Sequence, residues 1–135
     1  MSRILPSVIL SLMMLFGHEV HAQDMVGQLL TTKECEDCRL KGADISQAHL
    51  TGANLKGSDL IGANLRHANL VRANLSGAML VGADLSYADL SYADLSGSNL
   101  SNANLTGVIL RHAALVQAIM CNTVTPWGID NSGCD

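Results

Sequence analysis

From Leu40 to Leu115 every fifth residue is aliphatic, sixteen in succession and fifteen of them leucine. Two positions before each stands a small residue, usually alanine as at Ala43, Ala53, Ala63 and Ala73, and between the two usually sits Asn or Asp. The unit reads Ala-Asn/Asp-Leu-x-x. A residue recurring every five positions advances about 500° around an α-helix, so the leucines would wind around all sides and leave no apolar stripe. Along a straight strand the same spacing changes face at every repeat and would put half of them in water. A short extended segment that turns a corner once per unit satisfies the pattern, because the small residue and the leucine then both point at one axis. A string of such corners is a solenoid.

The last position of the unit gives the size of a coil. At a spacing of twenty it reads Gly42, Gly62, Gly82 in one column and Gly57, Gly77, Gly97 in another, whereas at fifteen no run of three glycines appears. Four units per coil follow, so sixteen units make four coils. Such a tower rises about 19 Å at the spacing of neighbouring strands. Its interior is two ladders, one of leucines and one of small residues, and one small column reads Cys38, Ser58, Ala78, Ser98, Ala118. Asn and Asp between the inward residues satisfy backbone groups at the corners, which accounts for their abundance without a ligand.

The units Ala53-Asn54-Leu55-Lys56-Gly57, Ser58-Asp59-Leu60-Ile61-Gly62 and Ala63-Asn64-Leu65-Arg66-His67, with their successors, resemble those of the pentapeptide-repeat proteins over 80 of the 135 residues. The resemblance implies an all-β solenoid, a right-handed quadrilateral β-helix of about four coils, in agreement with the twenty-residue columns. It also implies a protein known by structure more than by activity, although some members are thought to mimic DNA and shield DNA topoisomerases with an acidic surface.

Outside the repeat the chain divides readily. Residues 1–22 read as a signal peptide: Arg3 is the positive head, Ile4 to Phe16 is largely apolar, and Val20-His21-Ala22 has the pattern of a cleavage site. The apolar run falls short of the roughly twenty residues that span a bilayer, so no stable membrane insertion is expected after cleavage. Residues 23–37 form an N-terminal cap, with Met25, Val26, Leu29 and Leu30 on one face of a short helix. Such a lid covers leucines and an unpaired edge that the first coil would otherwise expose. The β-helix is placed at 38–122 and a C-terminal cap at 123–135, where Trp127, the single Trp, is expected to pack over the last coil. This last segment resembles a terminal segment seen in other exported or cyanobacterial members of the family, with Trp127 standing where Asp is usual.

Four cysteines lie at the limits of the tower, Cys35 and Cys38 at one end and Cys121 and Cys134 at the other. The ends are about four coils apart, well beyond the ~7 Å Cα separation that a disulfide tolerates, so Cys35 is expected to pair with Cys38 and Cys121 with Cys134. Such bonds persist in an oxidising compartment. The alternative for Cys35-Glu36-Asp37-Cys38 is a thiol-redox pair, which lacks the βαβ context such motifs occupy. A zinc site drawn from all four fails on the same distance.

The exceptions to the repeat are the candidate sites. Two neighbouring last-position columns are bulky and carry His67, Arg72, Tyr87, Tyr92 and His112, including both tyrosines, at one corner of the tower. Ile61, Met79 and Val81 form a second, apolar patch. Either could dock a protein partner, since Tyr, Arg and exposed aliphatics are what interfaces use. Catalysis finds no support: Ser76, Ser86, Ser91 and Ser96 recur because the unit recurs, Asp84, Asp89 and Asp94 fall on successive faces, and His49, His67 and His112 lack ligand spacing.

The net charge of −4 lies at the ends, since the repeat tract sets five Asp against six Lys or Arg. Neither the acidic surface of a DNA mimic nor the basic stripe of a nucleic-acid binder is present. The sequence therefore predicts a non-enzymatic exported binding or structural module with no cofactor and no nucleic acid. It would be monomeric or an end-to-end homodimer, with an unidentified protein partner, in the periplasm or, were the source a cyanobacterium, the thylakoid lumen.

Overall fold

The structure is a computed structural model that describes residues 22–135. The signal peptide read over residues 1–22 lies outside these residues, apart from Ala22 where the first helix begins. Among the described residues no helix is long and apolar enough to cross a membrane.

Helix α1 spans Ala22–Thr32. Asp24 in its first turn complements the positive end of the helix dipole. Val26 and Leu29 are buried against the first coil, while Leu30 is 43% exposed, so the apolar stripe is narrower than its sequence suggests. The helix ends at Thr32; Lys33 donates the last helical N–H to the Leu29 carbonyl and its left-handed backbone turns the chain out of the helix, a common C-cap.

The tower follows immediately. Fifteen parallel bridges run from Glu34–Asn54 to Asn104–Val124, and every one joins residues twenty apart. Within each coil the chain turns every five residues, where a leucine carbonyl accepts the N–H three residues on, as in Ala43 N–H to Leu40 O at 3.0 Å. Four such turns complete twenty residues, and four faces result. Face A begins at Cys38, face B at Ala43, face C at Ala48 and face D at Ala53, and each recurs every twenty residues. Only one residue per face forms a bridge, because two of every five lie in a turn. The extended segments inferred from the sequence are therefore shorter than regular strands.

The interior matches the two ladders. Leu40, Leu50, Leu55 and Leu60 through Leu100 are essentially fully buried, and so are the small-ladder alanines from Ala53 to Ala103, whereas Ala48, Ala113 and Ala118 towards the ends are half-buried. Burying each leucine contributes roughly 1.5–3 kcal/mol. At the corners the Asn/Asp carboxamide or carboxylate accepts the N–H two residues on, as in Arg66 N–H to Asn64 Oδ1 and Ser96 N–H to Asp94 Oδ1.

Glu34 already occupies a repeat position, so Cys35 takes a leucine slot below Leu55 and Cys38 a small slot below Ser58. The two cysteines are bonded across a turn, with Cα atoms 5.3 Å apart. Here the usual turn hydrogen bond is replaced: Ser58 Oγ accepts from Cys38 N–H at 3.2 Å and donates to Cys35 O at 2.6 Å. A buried hydroxyl thus completes the turn that the disulfide closes.

At the far end β1 (Thr123–Thr125) continues face B, and β2 (Gly128–Asp130) folds back antiparallel upon it. Cys121 and Cys134 are bonded, Cα to Cα 4.8 Å, tying the returning chain to the last coil. Trp127 is 65% exposed, contrary to the expected packing over that coil. It lies in the two-residue loop Pro126-Trp127 at the tip of the hairpin, which carries it away from the tower.

Candidate interaction surface

The fifth position of every unit has a left-handed backbone, with φ between 53° and 69° from Asp37 to Asn122. Glycine adopts this conformation freely, whereas other residues pay roughly 1–2 kcal/mol. This explains the glycine columns. On the corner between faces A and B the occupants are Gly42, Gly62, Gly82, Asn102 and Asn122, the residue types that tolerate it best. The two corners flanking face C depart from that rule. One reads Gln47, His67, Tyr87, Gly107 and the other Gly52, Arg72, Tyr92, His112.

Twenty-residue stacking turns these exceptions into ladders. His67 and Tyr87 are parallel-stacked, with centroids 5.2 Å apart and planes within 10°. On the other corner Tyr92 stacks on His112 at 4.9 Å, and the Arg72 guanidinium covers its opposite face at 5.6 Å. The five residues that the sequence singled out are thus brought together as two parallel stacks on either side of one face. Tyr87 and Tyr92 remain 52% exposed. Gly107 lies above the first stack, where a Cβ would lie 2.6 Å from Tyr87 ring atoms unless the ring shifted.

Sequence reasoning missed the face between the stacks. All three histidines of the described chain belong to it or its corners, since His49 projects from face C itself. Arg66 and Arg111 occupy the turns on either side, and both are exposed. The signal was present in the columns, in which His49 and Arg111 share a face with Asn69 and Asp89.

The apolar patch is less coherent. Ile61 and Val81 stack at one corner but are half-buried, and exposed Met79 lies in a column between Asp59 and Asn99. Larger apolar exposure occurs at the C-terminal end, where Ile109, Val116, Ile119, Trp127 and Ile129 are each at least 42% exposed. The acids are dispersed, with Asp59, Asp84, Asp89 and Asp94 on faces A, B, C and D. Hydrogen bonds from the Ser96 hydroxyl and amide hold the Asp94 carboxyl below its usual range, and Ser46 does the same for Asp44. Among the described residues no three His, Cys, Asp or Glu side chains are grouped to hold a metal ion.

Pentapeptide repeats, eight copies of them, match residues 38–77, 58–97 and 83–124. The chain belongs to the pentapeptide-repeat family. Members fold as right-handed β-helices, in keeping with the bridges at twenty residues. Similar solved structures include HetL, a pentapeptide repeat protein involved in heterocyst differentiation regulation from the cyanobacterium Nostoc, at 42% identity and TM-score 0.60. The match covers 70% of this chain but 41% of HetL, so the pentapeptide-repeat protein described here spans less than half of that relative. A pentapeptide repeat protein from the Arabidopsis thaliana thylakoid lumen matches at 28% identity and TM-score 0.66, over 72% of this chain and 68% of its own. QnrB1, a plasmid-mediated fluoroquinolone resistance protein, matches at 22% identity and TM-score 0.33, over 74% of this chain and 58% of its own, and carries no functional argument. No curated protein matches the sequence.

Proposed function

We propose that this chain is an exported, non-enzymatic binding module, a right-handed quadrilateral β-helix whose working surface is face C with its two flanking stacks. The observation that carries this reading is the choice of Arg72, Tyr87 and Tyr92 at turn positions where the backbone favours glycine. Stacking returns about 0.5–1.5 kcal/mol per aromatic pair and the cation–π contact about 0.5–1. That is of the same size as the left-handed strain of the residues involved, so folding alone gives them at most a small advantage over glycine.

Export is supported by the sequence of residues 1–22, by two disulfides of the kind that oxidising compartments maintain, and by the luminal relative. The periplasm is the compartment proposed, or the thylakoid lumen for a cyanobacterial source. Neither alternative gains from the geometry. A DNA mimic needs gathered acids, and these are spread over four faces. A redox role for Cys35 and Cys38 needs an accessible sulfur, and the two residues are 1% and 9% exposed.

The test is affinity capture from the native compartment with the wild-type chain and Tyr87→Gly/Tyr92→Gly. Glycine removes the rings without imposing strain. Loss of the captured protein by a variant that keeps a cooperative urea transition is the expected result; retention of the same protein by the variant contradicts the reading.

A second reading concerns assembly. In the last coil Leu110 and Leu115 are only partly buried, whereas Leu90 and Leu95 directly below are fully buried. The N–H groups of Leu90, Tyr92, Leu95 and Gly97 bond the coil above, but those of Leu110, His112, Leu115 and Gln117 find no backbone partner among the described residues. Such an edge favours pairing. With the opposite end closed by α1, an end-to-end homodimer is the self-contact available, and sedimentation equilibrium giving only monomer at high concentration would exclude it.

A further inference from the structure

We infer that face C takes a carboxylate-rich protein segment. This rests on the reading of face C as the binding surface and specifies the chemistry that the surface accepts.

Charge comes first. Six exposed cationic or protonatable side chains, His49, Arg66, His67, Arg72, Arg111 and His112, converge on this face and its two corners. Its one acid is Asp89, whose Oδ1 is engaged by the Ser91 N–H at 2.9 Å and hydroxyl at 2.6 Å. Among the described residues Arg72 and Arg111 have no carboxylate within ion-pair distance, and Arg66 has only a long contact with Asp84 at 3.9 Å. Elsewhere among the described residues Lys56 on face D contacts Glu36 at 3.6 Å, and Arg39 and Lys41 on face A are likewise without a carboxylate, so the convergence of cations is what distinguishes face C. Guanidinium groups left without carboxylates suit a partner that supplies them, because the planar fork binds a carboxylate in two places at once.

The stacks then decide between kinds of anion. Sugars and nucleic-acid bases are held on exposed aromatic faces. Here those faces are engaged: Tyr92 is covered by Arg72 on one side and His112 on the other, and Tyr87 is stacked on His67, with so little room at Gly107 that even a Cβ there would meet its ring. What the tyrosines offer outward is their edges and hydroxyls, which donate hydrogen bonds and serve carboxylates and peptide carbonyls. The two hydroxyls stand on either side of face C in one coil, and His67, Arg72 and His112 lie in the coils next to it, about 4.8 Å away. An acidic segment running along the tower meets cations and hydroxyls on successive coils.

The experiment is amide chemical-shift mapping on the isotopically labelled chain with three probes: a decapeptide of alternating Glu and Gly, its Lys-Gly counterpart, and an alginate oligosaccharide as a non-protein polyanion. The Glu-Gly peptide is expected to shift amides around His67, Arg72, Tyr87, Tyr92 and Arg111. The shifts should vanish near 1 M salt, where charges are screened beyond about 3 Å. Arg72→Gly/Arg111→Ala should weaken binding about tenfold, a loss ordinary for removed interfacial charges, while Arg39→Ala/Lys41→Ala on face A should not. The amide spectrum reports in the same measurement that each variant is folded. Equal binding of the Lys-Gly peptide, or shifts spread over faces A and D, overturns the inference. Binding of the oligosaccharide alone overturns the protein assignment, and no shift on face C with any probe overturns the acidic chemistry. Neither of these last two results touches the capture experiment with Tyr87→Gly/Tyr92→Gly, which tests face C itself.

Discussion

Replacing Tyr92 by glycine separates a structural ladder from a functional one. Tyr92 has φ of 60°, so glycine relieves roughly 1–2 kcal/mol of backbone strain. Against this the variant forfeits the stack on His112, about 0.5–1.5 kcal/mol, and the contact with Arg72, about 0.5–1. A glycine also frees the unfolded chain, which costs a further 0.5 to 1 kcal/mol or so. The sum runs from about 0.5 kcal/mol stabilising to about 2.5 kcal/mol destabilising, with destabilisation the more expected sign. Leu90→Ala, two residues earlier and fully buried, should cost about 2–5 kcal/mol. Urea unfolding followed by circular dichroism compares the two in one experiment. If Tyr92→Gly costs as much as Leu90→Ala, the stacks are staples of the fold and the argument from strain fails.

Two serines of the same inward column should behave oppositely. Ser58→Ala removes the hydroxyl that joins Cys38 N–H to Cys35 O and should cost roughly 1–3 kcal/mol, whereas Ser98→Ala should be neutral or stabilising because the buried Ser98 Oγ has no partner; matched urea curves decide. Asp94 has its carboxyl pKa lowered in the folded state by Ser96, so its contribution is present above the unfolded carboxylate value and is lost as pH falls through the folded one. Asp94→Asn should therefore flatten the fall in urea midpoint below about pH 4, because Asn makes the same turn at Asn54 and Asn74. Under limiting reductant an alkylating reagent should label Cys134, which is exposed, before Cys35, which is buried, as peptide mass mapping would show. Prior labelling of Cys35 would revive the redox reading.

Much of the tower was legible in the sequence, because a solenoid writes its geometry as a period. Spacing alone placed Leu40 to Leu100 inside and paired His67 with Tyr87 and Tyr92 with His112 by column. The column test could not reveal why glycine recurs at the fifth position, since left-handed turns are a property of the backbone. That fact changes the meaning of Tyr87 and Tyr92. Cys35 was hidden for a different reason: the repeat is recognised by leucine, and a cysteine in the leucine slot broke the pattern one unit early. Trp127 was misjudged because its size suggested burial, whereas the Thr125–Gly128 pairing confines it to a tight loop.

The central claim is that face C, rather than a glycine-lined corner, is where this protein meets its partner. Site-specific photo-crosslinking in the native compartment tests it most directly, with the reactive residue placed at exposed Thr51 beside face C or at exposed Lys41 beside the Gly42–Gly62–Gly82 column. A discrete adduct from position 51 and none from position 41 is the predicted result. Adducts of equal yield from both positions, or from position 41 alone, would contradict the account.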